Sequence, residues 1–256
     1  MSDRKVAVVT GASSGMGLAT AREMARRGHD LVLSSRRPEV AADEIRSAFG
    51  VRVEAVAGGI AEPDLAARLA AAAQEMGGAR ALLLNHGGPP VKPMMALTDE
   101  DWSGAFETMV VGPLRVMRAL VPQMQAAAGG RVLAISSFTV KAPWAGIGLS
   151  NALRAALVNA LKTAALELGP EGGILVNALA PGYVETDRIR DWNDSYARQE
   201  NVGVEEIRAR TLATIPLRRY GTPEGYARLA AFLLSEENDY VSGQQILYDG
   251  GLVVAN

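Results

Sequence analysis

Gly11, Gly15 and Gly17 stand in the run T-G-A-S-S-G-M-G, directly after the apolar stretch K-V-A-V-V and directly before L-A-T-A-R-E-M-A-R-R. Each glycine has a use in binding a diphosphate. Gly11 permits a tight turn, Gly15 lets main chain approach the anion, and Gly17 lets a helix pack closely on a strand. The N–H groups that open the helix attract phosphate. Such a turn carries weight only between a strand and a helix, which is its context here. The next β-rich run, L-V-L-S-S, closes on Ser35-Arg36-Arg37. An acidic residue at that place would take a ribose 2′-hydroxyl, whereas a guanidinium forks onto a 2′-phosphate. The pair therefore favours NADP(H) over NAD(H), the alternative being two solvated arginines at a strand end.

The elements that must hold these groups can be read from hydropathy. Short apolar runs at 5–9, 31–34, 51–56, 81–85, 131–136, 174–179 and 245–248 read as strands. Most are continuously apolar, as in strands buried on both faces. Between them, 15–27, 64–76, 102–127, 151–168 and 223–234 read as helices. The alternation predicts a single-domain α/β fold over 1–256, a doubly wound parallel sheet of about seven strands with helices on both faces. The polar segment 187–214 breaks the alternation and is read as a helical lid over the site.

Composition excludes several classes. With no cysteine, the chain has no disulfide, thiolate metal site or cysteine nucleophile, which suits a reducing cytoplasm. Two histidines cannot by themselves form a metal cluster, and no metal is expected. His29, in the polar run R-R-G-H-D, is expected to be solvated. A net charge of −2 argues against a nucleic-acid surface. The first apolar run is too short for a signal or membrane segment, so no membrane partner is expected.

Further motifs follow in order: Asn85-His86-Gly87-Gly88, Ser136-Ser137, Asn177, Pro181-Gly182-Tyr183-Val184-Glu185-Thr186, I-P-L-R-R-Y-G-T-P-E and Tyr248-Asp249-Gly250-Gly251. Together with T-G-x-x-x-G-x-G, this set resembles the short-chain dehydrogenase/reductase family over essentially the whole chain, with sequences like 3-oxoacyl-[acyl-carrier-protein] reductases among the similar ones. The resemblance implies a cofactor site. Gly11, Ser13, Ser14, Gly15, Met16 and Gly17 would hold the pyrophosphate, and Ser35, Arg36 and Arg37 the adenosine ribose. Ile60, Asn85 and Gly87 would lie along the adenine, ribose and nicotinamide, and Pro181, Gly182, Val184 and Thr186 at the carboxamide and pyrophosphate. Gly58-Gly59-Ile60 lacks the acidic residue usual near adenine, so adenine recognition would fall to main chain and apolar contacts.

The same resemblance implies a carbonyl reduced by hydride, with a serine, a tyrosine thirteen residues on, a lysine four further, and an asparagine on an earlier helix. Ser137 fits the serine; the tyrosine position is Ser150, the lysine position Arg154 and the asparagine position Met109. An aliphatic hydroxyl is a far weaker acid than a phenol, and a guanidinium is permanently charged. Arg154 can still fork onto ribose hydroxyls or stabilise an oxyanion electrostatically. Three readings stay open: an active oxidoreductase with a rearranged Ser137, Ser150 and Arg154 site, a dinucleotide-binding sensor or scaffold, or a lyase or isomerase. His86, Lys141 and Tyr183 are candidate stand-in proton donors. Their ordinary alternatives are a backbone-bonded imidazole, a solvated lysine and a pocket wall. Met94, Met95, Trp144, Tyr183 and Trp192 fall in segments that would rim a small-molecule carbonyl or alcohol site, with acyl-linked substrates among those fitting it. The apolar helices and the run 245–256 point, through the resemblance, to a homotetramer or homodimer.

Overall fold

The computed structural model describes residues 4–254. Seven strands, β1 (Val6–Thr10), β2 (Asp30–Ser35), β3 (Val53–Ala57), β4 (Ala79–Leu84), β5 (Gly130–Ile135), β6 (Ile174–Pro181) and β7 (Gln245–Tyr248), form one sheet in the order β3-β2-β1-β4-β5-β6-β7. Every pairing is parallel. Period two along the strands divides the core: Val6, Val8, Leu82 and Leu84 face one cluster, Ala7, Val9, Ala81 and Leu83 the other. The inner strands are buried on both faces, which is why they read as continuous apolar runs, while edge strand β3 exposes Glu54. Each fully buried leucine or valine contributes about 1.5–3 kcal/mol.

The helices are α1 (Gly15–Arg26), α2 (Glu39–Phe49), α3 (Leu65–Glu75), α4 (Asp99–Phe106), α5 (Gly112–Ala126), α6 (Gly148–Gly172), α7 (Asp187–Glu200), α8 (Val204–Thr214) and α9 (Pro223–Leu234). Two expectations need correction. The helix expected over 102–127 begins at Asp99, where Thr98 and Asp101 form a reciprocal capping box, and is interrupted by a wide π-type turn, Glu107–Val111. The helix expected over 151–168 runs from Gly148 to Gly172 and stops where Gly173 turns left-handed at φ 62°. Segment 187–214 is two helices, α7 and α8. The last two residues of the 245–256 run lie outside the described residues. Among the described residues no helix is long and apolar enough to cross a membrane.

The strand order reverses between β1 and β4. In such sheets the crevice beyond the carboxyl ends of these strands is where ligands bind. The loops that leave β1, β4, β5 and β6 carry the glycine turn, His86, Ser137 and Thr186 respectively.

Candidate functional site

Gly11 and Gly15 adopt left-handed φ of 60° and 55°. A Cβ on Gly17 would lie 2.2 Å from the Gly11 carbonyl oxygen, so α1 can start here only on glycine. The turn is latched from β4: Asn85 Nδ2 donates to the Gly11 carbonyl at 3.0 Å, and the Thr10 hydroxyl donates to the Asn85 carbonyl at 2.8 Å. Ser14, the residue before α1, makes no side-chain capping bond, which leaves the first N–H groups of the helix open to an anion. Gly15 faces Thr186, whose Cγ2 lies 3.5 Å from the place its Cβ would take. Ser13, Ser14, Arg36 and Arg37 are exposed, and neither arginine meets a carboxylate among the described residues. Ser35 Oγ accepts the Arg37 N–H at 3.2 Å. This donor set fits a 2′-phosphorylated dinucleotide. Ile60 lies where Gly112 opens α5; a Cβ there would come 2.4 Å from the Ile60 carbonyl. Gly182 makes the corresponding close approach to Asp249, at 2.9 Å from its Cα.

Ser150 and Arg154 sit one turn apart on α6. Arg154 Nε donates to Ser150 Oγ at 3.2 Å, while Nη1 donates to the carbonyls of Ile135 and Ser136 at 2.9 and 3.0 Å. The guanidinium thus ties α6 to the end of β5, one residue before Ser137. Burial, reinforced by nearby Arg188, lowers its pKa to about 10, still cationic near neutrality. Ser137 Oγ accepts from Thr139 at both N–H, 3.2 Å, and hydroxyl, 2.9 Å. Both serine oxygens are therefore occupied as acceptors, and both hydroxyl protons are left to point at a ligand oxygen.

The stand-in proton donors fare differently from one another. His86 is buried, with Nδ1 2.8 Å from the Gly87 carbonyl. Burial first, then the Arg154 charge, lowers its pKa to about 3, so it is a neutral imidazole and not an acid near neutrality. Lys141 is exposed. Tyr183 is buried, and burial pushes its hydroxyl above the ordinary phenol range. Met109, fully buried beside Leu149 and Leu153, packs under the first turns of α6 and relays nothing. His29 is also corrected: it is half-buried below the opposite end of the sheet, and its Nδ1 has no partner.

Two contributors were not read from the sequence. Thr139 holds Ser137; the S-x-T spacing of a side-chain turn was the available signal. Arg188 reaches the β4 loop; its signal was a basic residue in the first turn of a helix, against the dipole. A groove of about 420 Å³ runs along the face of α6 that carries Gly148, Asn151 and Ala155, lined also by Met94, Thr139, Val140 and Trp144. Of the other rim candidates, Met95 is exposed, while Trp144, Tyr183 and Trp192 join one aromatic cluster with ring separations of 5.7, 6.0 and 6.1 Å. Among the described residues no group of three or more His, Cys, Asp or Glu is placed to hold a metal.

Known proteins resemble this chain along nearly its whole length. The family model described as enoyl-(acyl carrier protein) reductase matches residues 11–253. "Dehydrogenase/reductase SDR family member 4" of Oryctolagus cuniculus is 31% identical over 251 residues, 96% of this chain and 93% of that protein. "3-oxoacyl-[acyl-carrier-protein] reductase FabG" of Vibrio cholerae is 32% identical, with 97% of each covered. The solved structure of L-sorbose reductase from Gluconobacter frateurii, complexed with NADPH and L-sorbose, superposes with a TM-score of 0.94 at 31% identity, over 99% of this chain and 98% of that one.

Proposed function

The chain belongs to the short-chain dehydrogenase/reductase family, and from that premise we propose an NADP(H)-dependent oxidoreductase that interconverts a ketone and a secondary alcohol at a site of Ser137, Ser150 and Arg154. The observation that carries this reading is the Arg154 cation, anchored on two main-chain carbonyls while donating to Ser150. The bound nicotinamide would supply or accept the hydride. The chain's own part is to receive the charge that develops on the substrate oxygen. Ser137 and Ser150 donate hydrogen bonds to it, and Arg154 stabilises it electrostatically through Ser150. A phenolic acid is absent from position 150, so the proton comes from water or the substrate's own surroundings rather than from that residue. Gly11, Ser13, Ser14, Gly15, Met16, Gly17 and Thr186 would hold the pyrophosphate, and Arg36 and Arg37 the 2′-phosphate. That the L-sorbose reductase binds NADPH supports the choice of dinucleotide, and the Vibrio reductase supports 3-oxoacyl-like carbonyls. In this reading α7 and α8 act as a lid within one domain of 1–256, in a cytoplasmic homotetramer or homodimer.

A second reading, a dinucleotide sensor with little turnover, is favoured by one feature: Met109 fills the relay position with an apolar, fully buried side chain. One experiment separates the two. NADPH and NADH are titrated into wild type and Arg36→Ala, and NADPH oxidation is followed over a carbonyl panel with wild type and Ser137→Ala. The expected result is at least tenfold weaker NADPH binding in Arg36→Ala, about 1.4 kcal/mol, with NADH little changed. Turnover falls at least a hundredfold in Ser137→Ala, as when one oxyanion donor is removed. Tight NADPH binding without turnover on any carbonyl would establish the sensor instead.

A further inference from the structure

Arg188 is the second residue of α7, at a helix end whose exposed N–H dipoles disfavour a cation. Its guanidinium lies broadside on Gly88: a Cβ on that glycine would be 1.9 Å from Nη2, 2.0 Å from Nη1 and 2.3 Å from Cζ. The arm thus spans from the exit of β6 to the exit of β4, over the end of β5 where Arg154 is anchored. At Gly15 of the glycine-rich turn a Cβ would meet Thr186 and no atom of Arg188 within 4 Å. The acidic residue beside it, Asp187, pairs with Arg190 instead. Among the described residues neither Arg188 nor Arg154 meets a carboxylate. His86, two residues before Gly88, is 8% exposed, and its Nε2 has no hydrogen-bond partner. With Nδ1 donating to the Gly87 carbonyl, Nε2 is a bare acceptor. Arg188 is exposed, Arg154 is held by Ser150 and two main-chain carbonyls, and the buried His86 Nε2 lies within the field of both cations without a hydrogen-bond partner. Two cations and one acceptor suit an anionic ligand.

We propose that Arg188 is the anion-recognition residue of the substrate site, and that the substrate is a carbonyl compound bearing a free carboxylate, with a hydroxyl or N–H of the same molecule donating to His86 Nε2. The proposal rests on the oxidoreductase reading for the word substrate, but the anion site stands on its own geometry. A planar carboxylate takes a guanidinium through two parallel bonds, and Arg188 presents an unpaired fork in the crevice. The aromatic cluster of Trp144, Tyr183 and Trp192, the last one helical turn along α7 from Arg188, offers an apolar wall. A thioester on a carrier has no such group at the reacting end, so this narrows the substrate toward free acids.

The test uses benzoate and its neutral isostere benzamide, titrated by calorimetry into the NADPH complexes of wild type, Arg188→Gln, Arg188→Lys and Gly88→Ala. Wild type is expected to bind benzoate at least tenfold more tightly than benzamide. Arg188→Gln removes that preference, with NADPH affinity within about twofold of wild type, and Arg188→Lys restores part of it. Gly88→Ala, whose Cβ displaces the guanidinium without touching its charge, repeats the loss. Equal affinity for the two probes in wild type, or no benzoate binding at all, overturns the proposal. So does a tenfold loss of NADPH affinity in Arg188→Gln with the preference intact, which would give the arm to the cofactor. If wild type binds no NADPH, the oxidoreductase reading fails; a benzoate preference in the free protein, lost in Arg188→Gln, would still establish the anion site.

Discussion

His86 shows how one side chain can be legible in type and illegible in state. The sequence places an imidazole beside the expected nicotinamide, and its ordinary pKa near 6.5 invites an acid–base role. Its protonation is decided by burial and by the charges of Arg154 and Arg188, which come from α6 and α7. No local pattern around residue 86 encodes these. The consequence is measurable in stability. Between about pH 6.5 and pH 3 the unfolded chain takes a proton at His86 that the folded chain refuses. Stability is complete above that window and falls as pH drops through it. By pH 4.5 the loss amounts to about 2–3 kcal/mol. His86→Asn should therefore lose roughly 4–12 °C less in Tm than wild type between pH 7.5 and pH 4.5. Parallel melting curves check this; identical acid losses in the two proteins would mean that the imidazole is protonated in the fold. Ser150 and Arg154 stand at the other extreme. Their contact was implicit in a spacing of four along a helix, which puts two side chains on one face.

At the scale of elements, the seven strands lie within about two residues of their sequence positions. The inner ones are marked by burial on both faces, which makes them near-unbroken apolar runs, whereas edge strands β3 and β7 are only partly buried. The glycine turn was legible for a similar reason, since its geometry is local. The π-type turn at Glu107–Val111 was not, because no residue type marks one extra residue in a turn, and a single shift of spacing is lost within the apolar run T-M-V-V-G-P-L. The start of α4 was written in the sequence as T-D-E-D, a capping box that apolar periodicity passes over. Gly17→Ala tests the packing of α1 on β1. The new Cβ meets main chain at 2.2 Å, which cannot rotate aside. Chemical denaturation should show a loss of about 1–3 kcal/mol, together with at least tenfold weaker NADPH binding. A variant with wild-type stability and affinity would mean that the helix start has room to shift.

For the whole molecule, the apolar surface left open is informative. Leu166 on α6 is 75% exposed and Phe106, at the end of α4, 45%. Isolated exposed apolar residues are ordinary, but these lie on the helices through which the assembly is expected to form. Sedimentation equilibrium should return a dimer or tetramer at micromolar concentration, and Leu166→Asp should shift it toward the monomer. A wild-type monomer throughout would remove the expectation. The sequence indicates such faces only as a surplus of apolar positions, because a residue's exposure depends on which helices pack on the sheet.

The latch between Asn85 and Gly11 has a consequence for the order in which the molecule is made. β1 and its glycine turn are synthesised before β4, yet the bond that fixes the turn is supplied from a residue 74 positions later. A nascent chain carrying only β1, α1 and β2 holds the glycine turn without its fastening. Under the proposed function, a dinucleotide selective for the fastened turn would by mass action favour the state in which β4 has docked.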